Sequence, residues 1–232
     1  MSVCATLCKY CHYLLKGVYP RFLAGDGGSP AIGVLLCQLT RLLLMISGNN
    51  YTVWNIRKRL LRARALSPAA ELSFSALVLS FHTKAEHGWA HRKWLVQAHP
   101  ELAGAEGFHR AELAFCGAVI TRRRRNYYSW VRRFTLVGTM PADVLWQDVD
   151  DTRRYLHQHP TDWSCMWYRY QVFAFLLSTE NSNGKASAQL EQEINFVKGQ
   201  MELHPEIQAL GKYLGMLATR LSTTKSSATT KS

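Results

Sequence analysis

Asn50-Tyr51-Thr52-Val53-Trp54-Asn55-Ile56-Arg57 and Asn126-Tyr127-Tyr128-Ser129-Trp130-Val131-Arg132-Arg133 carry Asn, Tyr, Trp and Arg at the same four places. Two weaker copies hold the same phase. Ala85 to Arg92 keeps Trp89 and Arg92 but loses Asn and Tyr, and Asp162 to Arg169 has Asp for Asn, Trp163 for Tyr and Met166 for Trp. A fifth copy, Glu206 to Tyr213, follows His204-Pro205 and is barely recognisable. The starts at residues 50, 85, 126, 162 and 206 are 35, 41, 36 and 44 residues apart. A period of that size fits one pair of helices per repeat.

The segments between the copies supply the first helix of each pair. Leu35, Leu39, Leu42 and Ile46 recur at helical spacing, as do Leu145, Val149, Thr152 and Leu156, and Leu190, Ile194, Val197 and Met201. Ser67-Pro68 has the form of an N-cap followed by proline at the first helical position. Asp143 near a helix start, with Arg153, Arg154 and His157 near its end, suits the helix dipole. No stretch has the strict alternation of an exposed strand. The expected architecture is all-α: a right-handed alpha-alpha superhelix, or solenoid, of stacked helical hairpins. Its repeat domain spans residues 35–221, after an N-terminal segment 1–34 of unassigned order and before a Ser/Thr-rich tail, 222–232, that reads as disordered.

Within the motif the residue types have packing roles. Asn or Asp in first place can cap the second helix of the hairpin. Tyr and Trp three apart fall on one face and fill the space between hairpins. Arg, three beyond Trp, can reach a neighbouring carboxylate or carbonyl.

Composition bounds the partners. The 232 residues hold 28 Lys and Arg against 16 Asp and Glu, a net charge of +12, which favours an anionic partner. Arg122-Arg123-Arg124-Arg125, with Arg132 and Arg133, forms a basic stretch interleaved with aromatics, and Arg57, Lys58, Arg59, Arg62 and Arg64 form a second. Alone, these runs fit a solvated helix face, a surface for an acidic partner, or nucleic-acid binding. With no convincing secretory signal, the six cysteines, Cys4, Cys8, Cys11, Cys37, Cys116 and Cys165, read as reduced thiols of a protein expected in the cytoplasm. Cys4, Cys8 and Cys11 have the spacing of an iron–sulfur cluster motif but lack the strand-based setting such a motif needs. The apolar run from Ala31 to Ile46 is too short to span a bilayer and is interrupted by Arg41. There is no Ser-His-Asp arrangement, phosphate-cradling glycine loop or HExxH.

The Asn50–Trp54 stretch and His91-Arg92-Lys93-Trp94-Leu95 resemble the first and second repeats of the alpha subunits of protein prenyltransferases. The Asp162–Arg169 copy is more similar to a divergent, repeat-containing branch of that family. The resemblance covers about residues 35–215, and residues 1–34 depart from it. It implies a crescent of hairpins around a zinc-bearing beta subunit, with no cofactor in this chain. A prenyl diphosphate would donate its farnesyl or geranylgeranyl group to the C-terminal cysteine of an acceptor protein, and diphosphate would leave. Leaving-group charge calls for cations and hydrogen-bond donors. The resemblance puts Lys84 at the position of the alpha subunit's catalytic lysine. It puts His87 where a Gln usually helps bind the substrate tail, and Tyr127, followed by Tyr128, where a tyrosine donates to the diphosphate. Arg125 joins these three in the substrate-binding set. Ala85 and Glu86, in place of Asn and Tyr, depart from the pattern beside Lys84. A non-catalytic helical scaffold and an RNA-binding solenoid remain the other two readings, with nucleic acid the less expected partner.

Overall fold

The computed structural model describes residues 3–24, 30–179 and 184–229. Among them, every regular element is helical. Contacts divide the chain into two units, residues 1–108 and 109–232.

The first unit holds α1 (Val3–Leu23), α2 (Pro30–Ile46), α3 (Tyr51–Arg62), α4 (Pro68–Phe81) and α5 (Glu86–Ala98). Helix α2 packs on α3 and α4 on α5, so each pair is a hairpin, and α3 lies beside α5. Helix α1 packs on α2 and adds Cys11 and Leu15 to a core of Leu36, Leu43, Trp54, Leu60, Phe74 and Val78. The buried stripe of α2 is Leu36, Leu39, Thr40, Leu43 and Leu44, whereas Leu35 and Leu42 are exposed. The expected stripe is therefore rotated. A helix this rich in leucine offers little polar contrast from which to read a face.

The second unit contains α6 (Phe108–Arg122), which begins at the boundary, then α7 (Tyr127–Phe134), α8 (Ala142–Gln158), α9 (Trp163–Thr179), α10 (Lys185–Leu203) and α11 (Gln208–Thr229). Helices α7, α9 and α11 lie side by side, with α8 and α10 against α9. Leu145, Val149, Thr152 and Leu156 are all buried, as are Leu190, Ile194 and Val197. Helix α11 continues through 222–229, in the segment read from composition as a disordered tail, and Thr230 to Ser232 lie outside the described residues.

The helix ends follow the motif. Asn50 accepts a hydrogen bond from the Val53 amide at 3.1 Å, and Asn126 one from Ser129 at 3.4 Å. Asp162 accepts from Ser164 and Cys165. Ser67 occupies the N-cap of α4 with Pro68 next, but its side chain makes no capping bond. His99, His159 and His204 each close a helix as its C-cap before the following turn. Ile207 precedes α11 as Asn50 precedes α3, so the fifth copy starts at Ile207, one residue later than its faint sequence match.

The motif arginines tie hairpin to hairpin. Arg57 donates to both carboxylate oxygens of Glu71 on α4, through Nε at 2.9 Å and through Nη2, and back to Thr40 Oγ1 on α2 at 2.9 Å. Arg169 repeats this with Glu193 on α10 and Thr152 on α8. Each carboxylate also accepts from the second helix of its own hairpin, always from twenty residues further on. The donors are His91 to Glu71, Arg132 to Glu112, Tyr168 to Asp148 and Tyr213 to Glu193. Four buried carboxylates, one on each of α4, α6, α8 and α10, thus anchor the repeats. Burying them is tolerated because each is paired with a buried donor.

Candidate functional site

The Tyr of the motif does not pack as expected. Trp54 and Trp130 are each 1% exposed, but Tyr51 and Tyr127 are 61% and 60% exposed. The helix starts at that Tyr, so its side chain leaves from the first turn, outward, while Trp one turn on points inward. The motif therefore presents one aromatic ring to the outside at the start of each complete copy.

Lys84 and His87 sit in the first unit, where α4 turns into α5. Lys84 is exposed, and its ammonium makes no hydrogen bond or ion pair among the described residues. Around it the turn brings together Ser47, Gly48, Asn49, His82 and Thr83. Gly48 is required there: a Cβ would come within 2.6 Å of the His82 side chain, whose Nε2 lies 3.0 Å from the Met45 carbonyl. Asn49 Oδ1 accepts from the His87 amide at 2.9 Å, which replaces the side-chain cap that Ala85 cannot supply. The His87 ring lies 5.2 Å from the Tyr51 ring, centroid to centroid. Glu86 is also exposed, two residues from Lys84, so a carboxylate shares the corner with the ammonium.

Arg125, Tyr127 and Tyr128 sit in the second unit, where α6 turns into α7. Arg125 takes a left-handed backbone, with φ of 57°, and donates to Thr161 Oγ1 at 3.3 Å. Tyr127 stands edge-on to Tyr128, which is half-buried. Arg122, Arg123 and Arg124 are exposed. Arg132 and Arg133 leave the basic stretch, since both are buried in ion pairs with Glu112 and Asp148. Arg57 likewise leaves the α3 run, in which Lys58 and Arg62 instead lie over the Trp94 ring. The five candidate residues thus form two groups, Lys84 with His87 and Arg125 with Tyr127 and Tyr128.

Electrostatics separates these corners from the interior. Burial raises the Glu71 carboxyl, but hydrogen bonds from His91 and Arg57 outweigh it and hold the group at about 2. Burial lowers His91 below its ordinary value, so at neutral pH it serves Glu71 as a neutral Nε2–H donor. Glu193 is also held low: Arg169 overcomes the effect of burial. These groups are spent on the fold. Among the described residues no three His, Cys, Asp or Glu side chains gather as a metal site, and no helix is long and apolar enough to cross a membrane. Cys8 and Cys11 both lie on α1, with Cys8 Sγ 3.5 Å from His12 Nδ1 and Cys11 in the core, while the Cys4 side chain lies outside the described residues.

Sequence reading missed Glu71, Glu112, Asp148 and Glu193. The signal was present: each precedes its partner on the next helix by twenty residues, and Arg57, Arg133 and Arg169 each precede one of them.

Capped hairpins with a buried Trp and a bridging Arg define an alpha-alpha helical repeat protein. Residues 68–99, which hold all of the α4–α5 hairpin, match the protein prenyltransferase alpha subunit repeat. That match covers one hairpin of the chain, and the similarity to whole proteins extends further. It is 26% identical to protein prenyltransferase alpha subunit repeat-containing protein 1 of Danio rerio, over 69% of this chain and 42% of that one. The human protein of that name is 25% identical over 62% of this chain and 40% of its own length. The geranylgeranyl transferase type-2 subunit alpha of Rattus norvegicus is 30% identical over 54% of this chain and 23% of its own. The chain therefore spans about two fifths of the length of the repeat-containing relatives it matches.

Proposed function

We propose that this chain acts as the alpha-type subunit of a heterodimeric protein prenyltransferase. A zinc-bearing beta subunit would hold the acceptor cysteine, and a farnesyl or geranylgeranyl group would pass to its thiolate from the diphosphate. The observation that supports this reading is a division of labour within the repeat. The Trp and Arg side chains are buried in the fold, while Lys84 and Tyr127 are exposed at helix starts and available to a partner. An unpaired ammonium and a phenol hydroxyl are the groups a departing diphosphate needs, since both donate and one carries positive charge. Arg125 and Tyr128 would add to the second group. His87, turned toward Tyr51, would line the acceptor side.

The test is coexpression with candidate beta subunits, followed by single-turnover prenyl transfer. The expected result is a stable heterodimer in which Lys84→Ala slows the chemical step by roughly a hundred- to a thousandfold, the range seen when one charge-stabilising donor is removed. Unchanged single-turnover rates in Lys84→Ala would overturn the lysine assignment, and absence of any beta association would overturn the subunit reading. One observation favours a second reading. Ala85 gives α5 no side-chain cap and Glu86 sets a carboxylate beside Lys84, which suits a helical scaffold that keeps the fold without the chemistry. A heterodimer that forms but transfers nothing would select that reading.

A further inference from the structure

Each unit carries a pocket between two neighbouring hairpin corners. In the first unit the corners are α2–α3 and α4–α5, and Lys84 stands there. In the second unit the corners are α6–α7 and α8–α9, and they flank an open cavity of about 370 Å³, a volume of the small-ligand class. Arg124 and Arg125 line it from the first of these corners, and Gln158, His159 and Thr161 from the second. Tyr127 and Tyr128 do not line it.

The lining groups are held close to one another. Arg125 Nη2 donates to Thr161 Oγ1 at 3.3 Å, which carries its guanidinium from one corner to the other. Burial and Asp162 raise the Tyr155 hydroxyl, and Arg124 is near enough to oppose them. The His159 ring stands edge-on to Tyr155, with centroids 4.6 Å apart. Both arginines are exposed, so a ligand can reach them. Arg124 makes no hydrogen bond or ion pair among the described residues, and the bond to Thr161 leaves most of the Arg125 N–H groups unspent. The carboxylate in the wall, Asp162, is 2% exposed and already accepts from Tyr155, Ser164 and Cys165. Two guanidinium charges outweigh its single negative one.

Arginine is a costly residue for the turn that position 125 makes. Its φ of 57° is left-handed, a conformation that glycine or asparagine takes with less strain. The turn alone would call for one of those. Arginine strains the backbone and sets a guanidinium beside Thr161, and strain of this kind gathers at ligand sites. Neighbouring guanidinium forks match the oxygens of a phosphate group. The walls are mainly polar, which suits a compact anion and offers no bed for a long apolar chain.

We propose that this cavity binds a compact phosphate or diphosphate anion, held by Arg124 and Arg125, with the Thr161 hydroxyl and the Gln158 amide as further donors. The site needs no beta subunit and does not rest on the prenyltransferase reading, although Arg125 figures in both.

The experiment is isothermal titration calorimetry on the full chain alone, at constant ionic strength. The probes are sodium pyrophosphate and inorganic phosphate, with citrate as a carboxylate control. The expected result is saturable binding of a phosphate probe, at least about tenfold tighter than that of citrate. Arg124→Gln and Arg125→Gln should each weaken it at least about tenfold. Arg122→Gln/Arg123→Gln removes two charges from the same run outside the cavity and should weaken it less than about threefold, since screened charges beyond the site contribute little. All of these positions are exposed, so the substitutions leave the fold intact. No saturable binding of either phosphate probe overturns the proposal, and so does citrate binding as tight as pyrophosphate. A loss in Arg122→Gln/Arg123→Gln as large as in Arg124→Gln also overturns it, because it would mark a diffuse basic surface in place of a site.

Discussion

Arg57 and Arg133 hold the same place in two copies of one motif, yet their surroundings differ in completeness. Arg57 is met by a glutamate, a threonine and the face of Phe74, and Trp54 beside it is also satisfied. Arg133 is met by an aspartate, a distant carbonyl at 3.5 Å and the more distant Trp130 and Tyr168 rings, and both it and Trp130 keep an unanswered N–H. The helices form in both places, so the motif's first requirement is burial of the ring and neutralisation of the guanidinium. Full hydrogen bonding is a further layer, which depends on partner residues one side-chain length away. A cavity of about 350 Å³ lies beside the copy in which that layer is relaxed.

The largest test of this contrast is to remove each arginine. Arg57→Ala leaves Glu71 buried with only His91 for company and should cost about 3–5 kcal/mol. Arg133→Ala removes fewer bonds and relieves one unpaired donor, so it should cost clearly less, read from urea midpoints with unchanged slopes. Equal losses would break the comparison, since they would mean that the extra bonds of Arg57 contribute nothing.

Acid probes the satisfied junction without mutation. Glu71 is held at about 2 against an ordinary 4.5, so the unfolded chain binds its proton first. That stabilisation is complete above 4.5 and is lost as pH falls toward 2, to a total of about 3 kcal/mol. His91 is lowered from 6.5, so it too takes up its proton more readily when unfolded, and loss should begin as pH drops through 6.5. Both effects have the same sign. The urea midpoint should fall continuously from neutral to acid pH, and His91→Gln should flatten only the upper part of the curve. A midpoint independent of pH over that span would show that the Arg57–Glu71–His91 cluster does not couple to folding.

The sequence made some of this legible and hid the rest for identifiable reasons. Trp54, Trp89 and Trp130 could be placed in the core because a repeated large ring at helical spacing has one stable location. Asn50, Asn126 and Asp162 could be read as caps because capping is local, settled within three residues. The carboxylates were hidden because Glu71 and Glu193 are unremarkable within their own helices, and their spacing of twenty acquires meaning only when a hairpin folds back. The outward turn of Tyr51 and Tyr127 depended on the helix starting at that residue and not one earlier, a boundary the pattern does not fix. For the site, Lys84 and Tyr127 could be singled out by resemblance and their exposure then observed. The unpaired Trp130 Nε1 and Arg133 Nε could not be foreseen, because they go with a left-handed turn at Arg125 and an aspartate one methylene shorter than glutamate.

The smallest effect isolates the hydrogen bond of the motif tryptophan. Trp54→Phe and Trp130→Phe remove the same atoms from equally buried sites, so the cavity and transfer terms largely cancel between them. What differs is the hydrogen bond. Trp54→Phe also strands the Gly48 carbonyl, while Trp130→Phe removes a donor that had no acceptor. Trp54→Phe should therefore be the more destabilising by about 1 kcal/mol or slightly more, a difference within reach of paired urea titrations. The sign carries the argument. If Trp130→Phe were the costlier change, its ring nitrogen would already be bonded, and the contrast between the two copies would close.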